Sequence, residues 1–364
     1  MNLSRFFLLL GLSLISANLW GQVQSWLDAE LSLSVREPHQ IEQTPAVWQQ
    51  QLGMRFNVSA RPRGHQHWQL QYGLRQRAQS QPLMRSGGLT FRWLDVPQHL
   101  WQSDDQQWAL EQNLDRASVQ VWSGAWDWTL GRQPIALGLS QPFSPLDVLQ
   151  QPQSLDQRYR SGVDAIRWRW SEWGSAEFDA AVLPNAAYLR YETATARNKT
   201  ELTSILLGSR QAIVGLGLEW YQDHWTLWQE AAGFWAVEES GAAATLGLAY
   251  QSLLWDSRVL VHLNTLGSSK QQAQDALWYR QGILTPLGQV YGQLSGGLTD
   301  GLRNQYRLSA LWHFSNASGL GQAAWERSLS DQSALSLQAQ WPWSSATEQQ
   351  EWLAAIILSL SWVY

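Results

Sequence analysis

Polar and apolar residues alternate with a period of two over most of this sequence. In the run at residues 28–36, the odd positions Ala29, Leu31, Leu33 and Val35 are apolar and the even positions are polar. Successive side chains of a β-strand point to opposite faces, so the pattern indicates strands with one polar and one apolar face. Similar runs recur at residues 54–61, 68–75, 166–171 and 335–341. The sequence therefore predicts an all-β fold.

Composition excludes several other classes of protein. Only 15% of the residues are charged, against about 25% in an average soluble domain, yet the mean hydropathy is −0.31. After the first twenty positions no apolar run is long enough for a membrane-spanning helix. The chain has no Cys, which excludes a disulfide scaffold and thiolate metal sites. A net charge of −5 argues against a nucleic-acid partner.

The N-terminus has the features of an export signal. Arg5 precedes an apolar stretch from Phe6 to Ile15, and small residues follow at 17–21. We expect a signal peptide at residues 1–21 and a single exported domain at 22–364. A short membrane anchor is the alternative, but about ten apolar residues are too few to span a bilayer.

Run length and tryptophan content favour a membrane barrel over a soluble sandwich or propeller. The runs match the length of a tilted strand that crosses a bilayer, and one strand with its connection takes about 20 residues, which gives roughly 17 strands. Many of the 25 Trp residues stand at run ends, where a membrane barrel places its interfacial aromatics. In hydrocarbon a sheet must close on itself to pair its backbone. We predict a transmembrane antiparallel up-and-down β-barrel of 16 or 18 strands, with 14 as an alternative.

The number of strand-like runs in the sequence is odd, which does not fit a closed antiparallel barrel. Counting runs one by one gives about nineteen between Leu27 and Tyr364, whereas such barrels have an even number of strands. The stretch 106–122 lacks a clear turn and is either one long strand or two short ones.

The C-terminal segment ends in an alternating apolar pattern. Apolar or aromatic residues occupy the even positions from Trp352 to Tyr364. This resembles the terminal strand of Gram-negative outer-membrane proteins, although that family usually ends in Phe. The resemblance implies the bacterial outer membrane as location, lipid and lipopolysaccharide as surroundings, and recognition of Tyr364 by the barrel assembly machinery. An ordinary buried strand is the alternative, because the opposite face is also apolar.

Two segments are expected to be long loops. Residues 133–161 contain four of the twelve Pro residues, and 184–210 show little alternation. Long loops of a barrel are either solvated at the surface or folded inward to narrow the lumen.

The first of these segments carries a motif. Its residues are Gly131, Arg132, Gln133, Pro134, Ile135, Gly138, Phe143, Ser144, Pro145, Leu146, Asp147, Arg160, Gly162, Val163, Asp164, Ala165 and Arg167. The pattern resembles one found in porin-like and alginate-export-like outer-membrane barrels, with Ala136 and Leu137 where that pattern often has Trp. The resemblance supports the architecture more than an activity. Candidate constriction-loop residues are Pro145, Asp147, Arg158, Arg160 and Asp164. Ion pairs between the aspartates and arginines of this segment would hold the loop to the inner wall; the alternative is surface charge with no fixed partner.

The strand positions that carry the polar residues of the alternating pattern define a candidate lining of the lumen. Charges of both signs occur on it, and Arg far outnumbers Lys, for Lys199 and Lys270 are the only lysines. Guanidinium groups suit carboxylate and phosphate solutes, but they also brace a wall by pairing with Asp and Glu. We predict a channel for small polar or anionic solutes. The candidate pore-lining residues are Arg55, Arg75, Arg92, Arg167, Arg169, Glu219 and Arg307.

Two other functions are kept as alternatives. His313, Ser315 and Asn316 resemble the His-x-Ser-Asn of outer-membrane phospholipase A, which would make the chain a lipid hydrolase. However, His313 and Ser315 fall on the polar parity, away from lipid, and no other catalytic motif is present. The second alternative is a non-conducting structural or surface-binding barrel. We expect no enzyme activity, no cofactor and no metal.

Overall fold

The computed structural model describes most of the chain. The described residues are 22–38, 47–61, 64–79, 91–93, 99–105, 107–139, 144–149, 162–172, 175–208, 210–236, 240–252, 255–267, 290–300, 304–313, 318–330, 333–344 and 353–363. The predicted signal peptide, residues 1–21, and the terminal Tyr364 lie outside them. Within these ranges no helix combines the length and the apolarity that crossing a membrane requires.

Nineteen strands occur in the described part of the chain. They are β1 (Gln22–Pro38), β2 (Val47–Arg61), β3 (Gln66–Gln79), β4 (His99–Gln102), β5 (Trp108–Ser123), β6 (Trp126–Gln133), β7 (Val163–Glu172), β8 (Ala176–Leu183), β9 (Ala186–Ala194), β10 (Asn198–Leu207), β11 (Gln211–Gln222), β12 (Trp225–Trp235), β13 (Ser240–Gln251), β14 (Trp255–Gly267), β15 (Val290–Asp300), β16 (Asn304–His313), β17 (Ser318–Ser330), β18 (Ser333–Ser344) and β19 (Leu353–Val363).

The strands pair antiparallel with their neighbours in the chain, and the series returns to its start. Strand β1 pairs with β2 on one edge and with β19 on the other, from Asp28 opposite Val363 to Pro38 opposite Leu353. Strand β3 pairs directly with β5, and the four-residue β4 only borders β5. Eighteen of the described strands therefore form the wall, and the predicted antiparallel up-and-down β-barrel is confirmed. The segment 108–123 is one long strand.

The connections differ between the two ends of the barrel. At the end where β1 begins and β19 stops, the turns have two to four residues; we call this the turn end. The longest connections, 80–107 with β4 inside it, 134–162 and 268–289, all lie at the opposite end, which we call the loop end. This asymmetry is typical of outer-membrane barrels, whose long loops lie on one side of the bilayer.

The prediction of a long loop at residues 184–210 was wrong. This segment contains a two-residue turn at 184–185, with Asn185 in the left-handed region at φ 59°, and then β9 and β10. Alternation is obscured in its sequence because both faces of β10 carry apolar residues at its end. Ile205 and Leu207 are buried, while Leu206 is exposed.

Burial distinguishes the two faces of the wall. On β10, Glu201, Thr203 and Ile205 are buried, whereas Leu202 and Leu206 are exposed. The exposed residues of the other strands are likewise mainly Leu, Trp, Val and Tyr. The buried face is therefore the interior of the barrel, and the apolar exposed face is the one that would meet lipid.

Aromatic side chains gather on the outer face toward the turn end. The rings of Trp126 and Trp168 stack at a centroid distance of 5.2 Å, and those of Trp225 and Tyr250 lie 4.8 Å apart. Such residues at strand ends suit the boundary between hydrocarbon and water.

Candidate functional site

One connection folds into the barrel and contacts β10 and β12, which are three and five strands beyond β7 in the wall. We call residues 134–139 and 144–149, the described part of the β6–β7 connection, the inner loop. The Gly138 N–H donates to Glu201 Oε1 at 3.1 Å, and the Leu139 N–H donates to Glu230 Oε1 at 2.6 Å. Since Glu201 lies on β10 and Glu230 on β12, the inner loop extends across the interior faces of β7, β8 and β9.

Two glycines of β11 leave room for the inner loop. A Cβ atom on Gly215 would lie 2.5 Å from Leu146 Cδ2, and one on Gly217 would lie 2.8 Å from Leu139 Cδ1. Both distances are far below van der Waals contact. The inward positions of β11 therefore form a groove for these leucines, with Glu201 and Glu230 on the flanking strands.

A sharp bend in the inner loop depends on Gly138. Its φ is +90°, a conformation that favours glycine, and a Cβ there would meet Ser144 Oγ. The Ser144 hydroxyl donates to Glu230 Oε1 at 3.1 Å, so Glu230 holds both arms of the bend.

Apolar side chains pack the inner loop against the wall. Ile135, Leu137 and Leu146 are at most 1% exposed and belong to one cluster with Ile205 and Phe234 of the wall. Each such buried side chain contributes about 1.5–3 kcal/mol relative to exposure. The interior face of the barrel is thus apolar where the inner loop packs against it.

An ion pair fixes the two ends of the loop. Arg132, the next-to-last residue of β6, makes two hydrogen bonds to the Asp164 carboxylate, Nε to Oδ1 at 2.6 Å and Nη2 to Oδ2 at 3.0 Å. Arg132 Nη1 also donates to the Leu114 carbonyl of β5 at 3.0 Å. Both charged residues are buried, so the pair joins β5, β6 and β7 where the inner loop leaves the wall.

The candidate constriction-loop residues have different positions. Pro145 is buried, and Asp147 accepts the Leu137 N–H at 3.3 Å within the inner loop. Asp164 belongs to β7 and not to the loop itself. Arg158 and Arg160 lie outside the described residues.

Charged side chains brace the interior faces of β6 to β10. Arg167 donates to both oxygens of Asp179, at 2.8 and 2.6 Å, and Tyr188 Oη donates to the same carboxylate at 2.9 Å. Arg190 lies 3.0 Å from Asp179 and 3.1 Å from Glu177. Arg190 also lies 3.8 Å from Glu192 and 3.9 Å from Glu201, and further pairs join Arg169 to Asp127 and Lys199 to Glu192. Most of the charge on this part of the wall is therefore neutralised within the wall.

Strands β2, β3 and β5 carry an excess of positive charge. Arg55 Nε lies 3.6 Å from Asp115 Oδ2, and Asp115 also interacts electrostatically with Arg75, Arg92 and Arg116. One further carboxylate, that of Glu111, is on the residue opposite Arg75 in the register. We call the four arginines Arg55, Arg75, Arg92 and Arg116 the basic cluster.

The other predicted lining residues are spread around the barrel. Glu219 is half-buried on β11, and Arg307 is exposed on β16 next to the outward Leu308. Arg92 lies outside any strand, in the segment 91–93. The structure thus brings Arg55, Arg75 and Arg92 together, and it places Arg167 and Arg169 in the neutralised part of the wall.

Sequence reasoning missed the residues that position the inner loop. Glu201 and Arg190 fall in the segment wrongly predicted as a loop, and Glu230 was not singled out. Gly215 and Gly217 alternate with Val214 and Leu216, and two inward glycines on one strand are the signal that could have revealed a close approach of another backbone.

The residues of the alternative hydrolase motif lie mostly outside the described part of the barrel. His313 is the last residue of β16, and Ser315 and Asn316 lie beyond the described residues. Among the side chains that the structure describes, no three His, Asp or Glu are grouped to hold a metal ion.

Comparison with known proteins identifies the fold. No family model and no curated protein sequence matches the chain. Among solved structures, the chain is similar to OccAB1 of Acinetobacter baumannii, with a TM-score of 0.60 and 9% identity over 94% of this chain and 96% of the other. It is similar to the outer membrane protein OpdK of Pseudomonas aeruginosa, with a TM-score of 0.57 and 9% identity over 94% and 98% of the two chains.

A third similar structure is a triple mutant of the Rhodopseudomonas blastica porin, with a TM-score of 0.50 and 8% identity over 94% of this chain and 100% of the other. These similarities extend over almost the whole length of each chain. Because the sequence identities are only 8–9%, they concern the course of the backbone alone. The chain therefore has the fold of the outer-membrane porins.

Proposed function

We propose that this protein is a channel of the bacterial outer membrane that passes small polar solutes and prefers anions. The observation that carries the proposal is the inner loop, which lies inside a wall of eighteen described strands and is bound to β10 and β12 by Glu201 and Glu230. Barrels of 16 to 18 strands are too wide for side chains to fill and leave an aqueous channel. A loop fixed along one part of the wall narrows such a channel without blocking it.

The preference for anions follows from which charges are accessible to a solute. Glu201, Glu230 and Asp179 are at most 2% exposed, and they accept hydrogen bonds from the inner loop or from arginines. In the basic cluster, the four positive guanidinium groups outnumber the two nearby carboxylates, those of Asp115 and Glu111. A lining in which one sign dominates sets ion selectivity, and guanidinium groups bind carboxylates and phosphates in particular.

The constriction consists of the inner loop on one side and the basic cluster on the other. Of the residues predicted for it, Pro145 and Asp147 shape the inner loop, Asp164 binds its ends together through Arg132, and Arg158 and Arg160 follow in the same connection. Arg167, Arg169, Glu219 and Arg307 line the remaining wall. Lipid and lipopolysaccharide surround the exposed apolar face, and the barrel assembly machinery recognises the C-terminal segment that ends in Tyr364.

Planar-bilayer recording tests this function directly. The purified protein should produce steady open-channel steps, and in a KCl gradient the zero-current potential should indicate that chloride permeates better than potassium. A folded barrel that produces no steps would contradict the channel. If the protein instead cleaves phospholipid and His313→Ala abolishes this activity, the alternative function as a lipid hydrolase is established.

A further inference from the structure

We propose that Asp164 is a positioning residue that holds Arg92 in the basic cluster, so that anion preference depends on a carboxylate buried in the wall. This inference rests on the proposed channel function and names a residue that determines its selectivity. Asp164 is only 4% exposed, which keeps it from direct contact with a solute.

The backbone on both sides of Arg92 is bound to Asp164. The Asp164 N–H donates to the Phe91 carbonyl at 2.9 Å. The Trp93 N–H donates to Asp164 Oδ2 at 2.7 Å. The residues before and after Arg92 therefore contact one residue of β7, and the backbone of Arg92 is held between these two hydrogen bonds.

Asp164 itself is fixed by its other partners. Arg132 binds both carboxylate oxygens and also reaches the Leu114 carbonyl of β5. Close packing restrains the same place, since a Cβ on Gly162 would lie 2.0 Å from the Asp115 carbonyl oxygen. A planar guanidinium that binds a carboxylate through two hydrogen bonds fixes its orientation as well as its position. Asp164 is thus a rigid reference point for the segment 91–93.

This restraint has an electrostatic consequence. Arg92 belongs to the connection between β3 and β5 and not to a strand, so the barrel ladder does not position it. The two bonds to Asp164 nevertheless bring Arg92 into the electrostatic environment of Asp115, where Arg55, Arg75 and Arg116 also act. Without those bonds the basic cluster would lose one of its four positive charges. The negative charge of Asp164 does not offset this gain, because Arg132 neutralises it.

Four variants separate a positioning role from general stabilisation. Arg92→Gln removes the charge itself, and Asp164→Asn weakens the restraint. Trp93→Pro deletes the donor N–H without touching Asp164 or Arg132. Trp93→Ala is its matched control, because it keeps the N–H and loses only a half-exposed side chain.

The readout is the ratio of chloride to potassium permeability, taken from the zero-current potential in a KCl gradient. We expect Arg92→Gln and Trp93→Pro each to lower this ratio about sixfold, because one charge about 8 Å from the ion path in water changes the permeability of chloride and of potassium about 2.4-fold in opposite directions. Asp164→Asn should lower it less, because it also leaves the charge of Arg132 without its partner, and Trp93→Ala should leave it unchanged. In the double variant Arg92→Gln with Trp93→Pro, the ratio should fall no further than in Arg92→Gln alone.

The outcomes are distinguishable. A wild-type barrel that does not conduct contradicts the proposed function. A conducting wild type in which Arg92→Gln leaves the ratio unchanged, or in which Trp93→Pro keeps the wild-type ratio while Arg92→Gln lowers it, overturns the role of Asp164. If Asp164→Asn does not fold, the Trp93 pair alone decides. Equal losses in Trp93→Pro and Trp93→Ala would assign the effect to the side chain and would also overturn the inference.

Discussion

Glu230 accepts the main-chain N–H of Leu139 at 2.6 Å, and this bond joins a loop that begins after β6 to a strand on a distant part of the wall. Glu230 also accepts the hydroxyl of Ser144. A single buried carboxylate therefore fixes both arms of the bend at Gly138, and it determines how far the inner loop projects into the lumen.

Replacing Glu230 should loosen the inner loop. Glu230→Ala leaves the Leu139 N–H and the Ser144 hydroxyl without their acceptor, which costs about 1–3 kcal/mol for a buried donor. We expect larger and more variable single-channel conductance. Glu230→Gln keeps an acceptor oxygen and should change conductance less. Equal, steady conductance in the wild type and Glu230→Ala would contradict the anchoring role.

The groove in β11 should not tolerate larger side chains. Gly215→Val places new atoms where Leu146 lies, because even a Cβ would come within 2.5 Å of it. We expect the inner loop to be displaced, with altered conductance and a lower unfolding temperature in detergent. Gly73→Val is the matched control on β3, where the nearest atom to a new Cβ is 3.7 Å away. If both variants behave alike, the close approach to Leu146 is not what limits this position.

Removing the inner loop should widen the channel. Replacing residues 135–160 by a short Gly-Ser linker keeps Arg132, Gln133 and Asp164, which belong to the wall. We expect a higher single-channel conductance than in the wild type, because the obstacle in the lumen is gone. The same linker placed in the β14–β15 connection, residues 268–289, serves as the control for loop shortening. An unchanged current after removal of 135–160 would refute the constriction.

The basic cluster should set the sign of ion selectivity. Arg55→Gln or Arg116→Gln is expected to lower the chloride-to-potassium permeability ratio about sixfold, because the Coulomb energy of one charge about 8 Å away in water acts on the two ions with opposite sign. High salt should reduce the difference between the variants and the wild type, because it screens the charges. Arg61→Gln, at the exposed end of β2, should leave the ratio unchanged. If neither Arg55→Gln nor Arg116→Gln changes this ratio, another part of the lumen determines the ion selectivity.

Arg190 should matter for stability more than for transport. Arg190→Gln leaves Asp179, which is fully buried, with one fewer cationic partner, and breaking a buried ion pair costs about 3–5 kcal/mol. We expect a marked drop in the unfolding temperature measured by circular dichroism in detergent. Arg210→Gln, in the exposed turn between β10 and β11, should have little effect. Equal unfolding temperatures for the two variants would show that the pairs of Arg190 are energetically neutral.

The wall could be predicted from the sequence because its pattern follows from a local rule. Each strand exposes apolar residues on one face and polar residues on the other, and the even strand number follows from closure. The position of the inner loop could not be predicted, because it depends on contacts between segments far apart in the chain, such as Gly138 with Glu201 and Leu139 with Glu230.

The misassigned segment 184–210 illustrates the same limit. Ile205 and Leu207 are buried and belong to the same apolar cluster as Leu137 and Leu146 of the inner loop, so a rule that makes the interior polar fails there. Arg132 and Asp164 were singled out by a motif, but their pairing with each other, and the two bonds of Asp164 to the segment 91–93, became evident only in three dimensions.

The bonds that hold the inner loop to Glu201 and Glu230 start from the peptide groups of Gly138 and Leu139. Every amino acid except proline supplies the same donor, so these two bonds do not depend on a particular side chain, unlike the packing of Ile135, Leu137 and Leu146. Residues that face the passing solute can therefore diverge, or be exchanged by an engineer who wants a different permeant, while the obstruction stays in place.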